Sequence, residues 1–275
     1  TPLTHRTSWV WGQQFSPDGL SPAGSATDNI GDNIYVFPLS GAPPRPLSAQ
    51  HGLRDYPFWS ADGQHIAFDA TTTDATPIGA MFTDAAGGRE RVIRRAGGLG
   101  HTSGWLGNDA IVFAQPGALV VVDTTGRIRR RIAIPDSLSG FALVITDAAT
   151  QRVAYWSYFA SAIIGGDLAS GKLSRLVSTK SPVQPVGWGE DGSLFVTGEA
   201  AGQTTLPPGS APRRDLVLER LPPGGSAFVR VATLPNGCWT ALGGVTVGAG
   251  GTLAACTVRR FVPDVWLADR TAKDR

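Results

Sequence analysis

Short apolar stretches separated by turn residues run along the whole chain, without helical periodicity between them. The clearest example is Tyr56–Phe68, in which an Asp-Gly corner joins two apolar runs. Asp-Gly between two such runs is typical of a β-hairpin. Weaker copies of this pattern occur at Phe15–Gly19 and Gly187–Val196. The pattern therefore predicts repeated strand–turn–strand units rather than helices.

The spacing of these units is regular. Gly19 and Gly63 are 44 residues apart, and Gly63 and Gly192 are 129 apart, which is three times 43. Two further units fit in that interval, one centred on Trp105 and one at Phe141–Trp156. A sixth unit fits at Gly244–Cys256. A fixed period near 43 residues is typical of a repeat architecture.

Each unit continues into a second pair of strands, such as Ala118–Val122 followed by Arg129–Ile132. Four strands per unit of this length indicate a β-propeller blade. We therefore predict an all-β chain that forms one domain over residues 1–275, a six-bladed β-propeller with four-stranded antiparallel blades. Only six residues follow Asp264–Asp269, and all but Ala272 are polar, so the last blade is predicted to lack a fourth strand of its own. The apolar segment Ser8–Trp11 is predicted to supply it, and this N-terminal strand would close the last blade and complete the ring.

Composition narrows the functional classes. No apolar run approaches the ~20 residues that a membrane helix needs. The net charge of +2 is too small to indicate a nucleic-acid binder. No basic-then-apolar leader opens the sequence, so we expect any targeting segment to have been removed or to lie before Thr1. Two cysteines, Cys238 and Cys256, exclude a disulfide scaffold, and whether they pair is left open.

The unit at Tyr56–Phe68 resembles the repeat of TolB-like six-bladed propellers. Strands such as Asn33–Val36, in the second half of a unit, add to the resemblance. Ala61 stands where that repeat often has Pro, and residues 15–19 match only its corner. The resemblance implies a bacterial periplasmic or other extracytoplasmic location. It also implies a scaffold on which function varies, since fold does not fix function.

Motifs for catalysis are weak. Gly166–Lys172 has the spacing of a phosphate loop, but Leu173 follows where Ser or Thr would bind Mg²⁺, so we interpret it as a hairpin turn. No Gly-x-Ser-x-Gly elbow occurs, and no His or Cys spacing indicates a metal. We expect no cofactor. A cation in the central channel is left open, because aligned carbonyls can hold one without a motif.

Loops on one face of the ring are the candidate binding surface. His51 and His101 precede the first strands of their blades, and the Pro-rich loop Gly202–Arg214 and the Thr-rich loop Ala70–Pro77 follow second strands. Long loops on a rigid scaffold are where binding concentrates. The candidate partner-binding residues are His51, Arg54, Asp55, His101, Thr102, Pro207, Pro208, Arg213 and Arg214.

A second candidate surface is a basic rim formed by Arg127, Arg129, Arg130 and Arg131. It would face an acidic partner or anionic lipid head groups. The alternative is a solvated outer strand whose charges block edge-to-edge association.

These observations favour a non-catalytic protein-binding scaffold, an accessory subunit of a bacterial periplasmic or membrane-associated complex. Transport, electron-transfer and photosynthetic assemblies are all compatible. One alternative is an extracytoplasmic ligand-sensing propeller of a kinase or regulator. Another is a propeller hydrolase or the gating domain of a peptidase, which polar residues converging on the channel mouth would support.

Overall fold

A computed structural model describes residues 10–28, 31–48, 52–72, 77–95, 101–140, 143–199, 216–235, 238, 245–248, 251–258 and 264–269. These residues form antiparallel sheets and one short 3-10 turn at Asp136–Leu138. Within these ranges, no helix has the length and apolar character to cross a membrane.

The strands follow one another in blades, numbered in chain order. Blade 1 holds β1 (Val10–Phe15), β2 (Pro22–Asp28), β3 (Gly31–Val36) and β4 (Arg45–Pro46). Blade 2 holds β5 (Arg54–Trp59), β6 (His65–Thr71), β7 (Pro77–Asp84) and β8 (Arg91–Arg95). Blade 3 holds β9 (His101–Leu106), β10 (Ala110–Gln115), β11 (Ala118–Asp123) and β12 (Ile128–Ala133).

The second half of the chain repeats this order. Blade 4 holds β13 (Val144–Asp147), β14 (Arg152–Ser157), β15 (Ala162–Asp167) and β16 (Lys172–Ser178). Blade 5 holds β17 (Val183–Trp188), β18 (Leu194–Glu199), β19 (Leu216–Leu221) and β20 (Val229–Thr233). The sixth sheet holds β21 (Val245–Gly248), β22 (Leu253–Val258) and β23 (Asp264–Asp269). Five sheets are thus complete four-stranded blades, and three strands of the sixth are described.

The first strands of the six sheets form the inner ring. Each contacts the first strand of the next sheet, and β21 contacts β1. An apolar core lies between every neighbouring pair of sheets, including one in which Ala255 packs with Val10 and Phe15. Strand side chains alternate between the two faces of a sheet, so each blade contributes to two of these cores. The predicted β-propeller is confirmed.

The predicted N-terminal closure is wrong for the residues that the structure describes. Val10 and Trp11 pair with Ala26 and Ser25 and belong to the innermost strand of blade 1. Val10 is buried in the apolar core that blade 1 shares with Ala255 of the sixth sheet. Ser8 and Trp9 lie outside the described residues.

The Asp-Gly corners that marked the repeat are tight turns. Gly19 and Gly63 adopt left-handed φ values of 72° and 68°, which glycine tolerates best. Asp62 accepts a hydrogen bond from the Ser60 hydroxyl at 2.7 Å and one from the amide of Gln64 at 3.0 Å. Because these bonds join residues within five positions of one another, the local sequence is enough to indicate the hairpin. The hairpin interpretation of Gly166–Lys172 is also confirmed, since this segment joins β15 to β16.

Candidate interaction face and central cavity

The ring has two faces that differ in their connections. The loop face is the side on which innermost strands begin and second strands end, as shown by the pairing of Arg54 with Ala70 and of His101 with Ala114. The hairpin face is the opposite side, where turns such as 60–64 join first strands to second strands. His101 lies on the loop face as predicted. His51, Pro207, Pro208, Arg213 and Arg214 lie outside the described residues.

An acidic and aromatic group occupies the loop face between blades 1, 2 and 3. Nδ1 of His101 lies 3.2 Å from a carboxylate oxygen of Asp69, and the amide of Thr102 donates to the same carboxylate at 3.2 Å. The His101 ring packs against Tyr56, with the ring centroids 5.9 Å apart. The predicted residues His101 and Thr102 therefore meet through Asp69, which the sequence analysis did not single out.

Asp55 lies beside this group. Its carboxylate accepts a hydrogen bond from the Trp11 indole. Burial raises the pKa of Asp55, and repulsion from Asp32 and Asp69 adds to the effect. The hydrogen bond with Asp69 raises the pKa of His101 above its usual value. The carboxylates outnumber the single imidazole, so this part of the loop face favours positive charge.

Tyr56 has an unusual backbone conformation. Its φ of 54° is in the left-handed region, and the register of β5 shifts between Asp55 and Phe58. Gly12 occupies the same position of β1, with a φ of 62° at a similar register shift. A left-handed non-glycine residue costs about 1–3 kcal/mol and is held only where its surroundings require it. This bulge places Tyr56 at the wall of the central channel.

Arg54 does not face solvent. Its side chain is 1% exposed and forms two hydrogen bonds with the carboxylate of Glu90, at 3.0 and 2.9 Å. A third bond reaches the carbonyl of Thr71. Arg54 therefore stabilises blade 2 beneath the loop face and is not available to a partner.

The predicted basic rim lies on and beside β12. Arg129 pairs with Asp109 at 2.8 Å, and Arg130 donates to the carbonyls of Leu168 and Ala169 in blade 4. The side chains of Arg127, Arg129, Arg130 and Arg131 are exposed. Arg129 and Arg130 are thus engaged within the molecule, which agrees with a charged outer strand more than with a free basic surface.

An exposed aromatic pair stands on the loop face of blade 4. Tyr158 and Phe159 are 68% and 69% exposed and lie in the turn between β14 and β15. Trp156 packs edge-on against Tyr158, with a centroid distance of 5.8 Å. The sequence analysis missed this pair, although two adjacent aromatics in a short turn were a visible signal.

The central channel widens into a cavity of about 450 Å³ on the hairpin side. Innermost strands of several blades line it, and its aromatic side chains include Phe15, Tyr56, Trp59 and Trp188. Arg152 from blade 4 lies 4.5 Å over the Trp188 ring and donates to Asp147 at 2.7 Å. Burial alone would raise the pKa of Asp147, but bonds from Thr150 and Arg152 lower it overall.

The sequence left open whether the two cysteines pair and whether a metal ion is bound. Cys238 and Cys256 are buried and form a disulfide, with their Cα atoms 5.7 Å apart. Among the described residues, no group of three or more His, Cys, Asp or Glu side chains is arranged to hold a metal ion. A cation bound by channel carbonyls stays a prediction.

Comparison with known proteins supports the fold. No family model and no curated protein sequence matches the chain. A protein assigned as TolB from Agrobacterium tumefaciens is 12% identical, with a TM-score of 0.66 over 85% of this chain and 84% of that one. TolB from Acinetobacter baumannii is 14% identical, with a TM-score of 0.65 over 98% of this chain but only 62% of that one.

An enzyme shares the architecture. Oligogalacturonate lyase from Vibrio parahaemolyticus is 16% identical, with a TM-score of 0.58 over 99% of this chain and 79% of that one. Identities this low establish the fold alone. One fold can serve unrelated functions, so the shared propeller does not decide between a TolB-like protein and an enzyme. The chain has the β-propeller fold of the TolB structures.

Proposed function

We propose that this chain is a non-catalytic protein-binding propeller that presents its loop face to a partner. The observation that carries the proposal is the exposed pair Tyr158 and Phe159. Large aromatic side chains are costly to leave in water and are enriched at the centres of protein interfaces. An aromatic pair at the tip of a two-stranded turn is well placed to enter a pocket on another protein.

The support beneath this pair is rigid. The Trp156 indole donates to the Thr179 hydroxyl at 3.0 Å, and the Ser157 hydroxyl donates to the carbonyl of Ser139 at 2.7 Å. The amide of Tyr158 donates to the carbonyl of Gly140 at 2.7 Å. A turn held in this way loses little conformational entropy on docking, which favours affinity.

The charge of the same face indicates the chemistry of the partner. Asp55 and Asp69 lie there beside His101, and the charge of Arg54 beneath them is paired with Glu90. A partner with basic side chains around an apolar pocket would complement both parts of the surface. Rim charges of this kind mainly affect the association rate and its dependence on salt.

The finer assignment is an accessory subunit of a bacterial periplasmic or membrane-associated complex. The Cys238–Cys256 disulfide supports an oxidising compartment. The TolB-like fold agrees with it, since the sequence resemblance implies an extracytoplasmic location.

The test is purification of the tagged protein from its own membranes in mild detergent, with quantification of co-eluting proteins. The variant Tyr158→Ser/Phe159→Ser removes the aromatic pair. Leu20→Ser is the matched control, because Leu20 is 62% exposed but follows an Asp-Gly turn on the hairpin face. We expect a stoichiometric partner with wild type and L20S, and at least a tenfold loss with the double variant. Equal recovery with all three proteins would contradict the proposal.

A further inference from the structure

Basic side chains are concentrated on the circumference of the propeller. The fourth strands of blades 1 to 5, which are β4, β8, β12, β16 and β20, form the outer edges of their sheets. These five strands hold 10 of the chain's 24 lysines and arginines and none of its 22 aspartates and glutamates. The rest of the chain therefore carries a net negative charge, although the net charge of the whole chain is +2.

The outer edges of blades 3 and 4 are joined into one surface. Arg130 of β12 donates to the carbonyl of Leu168, in the turn between β15 and β16. Ile132 of β12 and Leu168 share one apolar core, and Leu173 of β16 packs against it. Residues 127–133 and 168–178 thus form a continuous surface, which we call the outer strip.

The outer strip carries exposed positive charge that no carboxylate neutralises. The side chains of Arg127, Lys172 and Arg175 are exposed, and no ion pair with another described residue engages them. Arg130 donates to main-chain carbonyls rather than to a carboxylate. These four side chains are therefore the ones that can attract an anionic surface.

The carboxylates that border the outer strip on the hairpin face are already bonded within the protein. Asp109 and Asp123 both pair with Arg129. Asp167 accepts a hydrogen bond from the amide of Ser170. The basic side chains of the strip outnumber these carboxylates, so the strip keeps a net positive charge.

Exposed aliphatic side chains stand among the charges of the outer strip. Ile128 of β12 is 44% exposed, and Leu176 of β16 is 38% exposed. Charged residues on an edge strand can serve to block edge-to-edge pairing, but that role is weakened by apolar side chains exposed beside them. Neighbouring cationic and aliphatic side chains are instead typical of surfaces that bind the interface of an anionic membrane.

The position of the outer strip favours a bilayer over a folded protein partner. The strip lies along sheet edges on the outside of the ring. Stable protein–protein interfaces bury about 1,200–2,000 Å² with close shape complementarity. A bilayer requires no matching relief, because lipids rearrange around the side chains that enter the head-group region.

We propose that the outer strip binds the surface of a bilayer that contains anionic phospholipids. Arg127, Lys172 and Arg175 contact the lipid phosphates, and Ile128 and Leu176 enter the head-group region between them. The strip lies on the circumference of the ring, so this contact leaves the loop face open to a protein partner. The proposal does not depend on the function proposed for the loop face.

The test is flotation of the purified protein with lipid vesicles. One set of vesicles contains phosphatidylcholine alone, and the other contains equal parts of phosphatidylcholine and phosphatidylglycerol. We expect binding to the anionic vesicles only, and we expect it to weaken as the salt concentration rises from about 0.01 M to about 1 M, because ions screen exposed charges. The absence of binding to anionic vesicles at the lower salt concentration overturns the proposal.

A pair of charge variants locates the contact. Lys172→Gln/Arg175→Gln removes two exposed charges from the outer strip, and Arg45→Gln/Arg89→Gln removes two exposed charges from blades 1 and 2. Each charge near an anionic membrane contributes about fivefold to affinity, so we expect the first variant to lose at least about tenfold and the second less than about threefold. Equal losses would assign the binding to net charge rather than to the outer strip, and would overturn the proposal.

A second pair of variants separates a membrane from an acidic protein and the outer strip from the loop face. Ile128→Ser/Leu176→Ser should lower affinity for the anionic vesicles at least about fivefold, because these side chains leave water on binding. Unchanged affinity would mean that charge alone suffices, as for an acidic protein, and contradicts the lipid assignment. Tyr158→Ser/Phe159→Ser should bind the vesicles like wild type, and a loss there would move the membrane contact to the loop face. Circular dichroism and thermal unfolding verify that each variant is folded.

Discussion

The interfaces among blades 1 to 3 and the interface between blades 4 and 5 are built from similar residues but differ in how they are completed. In the first arc, Trp105 is 1% exposed and its indole bonds to the preceding blade. In the second arc, Trp188 lies under Arg152, and its indole N–H has no hydrogen-bond acceptor among the described residues. Tryptophan thus stands at the corresponding position of blades 3 and 5, but the described residues show its bond to the preceding blade only in blade 3. The indole bonds of the first arc are expected to add stability that the second arc lacks.

The largest expected effect is at the buried ion pair of the first arc. Glu90→Gln leaves the Arg54 charge buried without its partner, so we expect a loss of about 3–5 kcal/mol in the free energy of unfolding. Asp191→Asn breaks the exposed Asp191–Arg220 pair of blade 5 and should cost at most about 1 kcal/mol. Urea denaturation of both variants measures the contrast, and equal losses would show that the arcs do not differ here.

The disulfide that joins Cys238, which follows blade 5, to Cys256 of the sixth sheet should come next. Cys238 and Cys256 are separated by 18 residues, and closing a loop of that size stabilises a protein by about 3 kcal/mol in the chain-entropy model. We expect Cys238→Ser/Cys256→Ser to lose roughly that amount, and wild type under reducing conditions to behave like the variant. A variant as stable as oxidised wild type would mean that the bond adds nothing to this interface.

The indole bonds test the comparison most directly. Trp105→Phe leaves the carbonyl of Phe58 without its donor in a buried interface, which should cost about 1–3 kcal/mol. Trp188→Phe removes an N–H that has no acceptor within the described ranges, so its stability should lie within about 0.5 kcal/mol of wild type. Thermal and urea unfolding of the pair provide the measurement. A larger loss for Trp188→Phe than for Trp105→Phe would reverse the roles of the two arcs.

The smallest effect concerns pH on the loop face. The bond to Asp69 raises the pKa of His101 above its unfolded value of 6.5. The stability from this pair is therefore fully present below about pH 6.5 and is lost as the pH rises through the folded pKa. We expect the destabilisation by His101→Gln to be larger near pH 5.5 than near pH 8.5, as measured by unfolding at about those two values.

The control for this effect is the same substitution in an Asp69→Asn background. Without the carboxylate, the His101 substitution should have a cost that no longer depends on pH. A pH dependence that persists in that background would assign the effect to another acidic group, such as Asp55.

Several features were accessible from the sequence because they depend on neighbouring residues. The corner at Asp62-Gly63 is stabilised by bonds within five residues and by a left-handed glycine, so it appears as a local signal. The short apolar runs between turn residues, repeated about every 43 positions, predicted the strands of each blade. The placement of His101 and Thr102 together on the loop face also followed from topology, since both begin an innermost strand.

Two predictions were wrong for the same physical reason: each depends on contacts between residues that are far apart in the sequence. For Val10 and Trp11 the predicted closing strand was wrong, because an apolar segment can fit either an outer or an inner edge, and only its pairing with β2 distinguishes them. Arg54 was read as a surface charge because its partner Glu90 is 36 residues away.

The sequence by itself determined the all-β repeat, its period and the turns of its hairpins, because these arise from contacts within a few residues. Only the tertiary structure decided which side chains are completed by another blade. Trp59, Trp105 and Trp188 look alike in the sequence, yet the indoles of the first two donate to carbonyls more than 40 residues away, and the third has no acceptor in the part of the chain that the structure describes. That distinction is set by the distance between neighbouring blades, which no short stretch of sequence records.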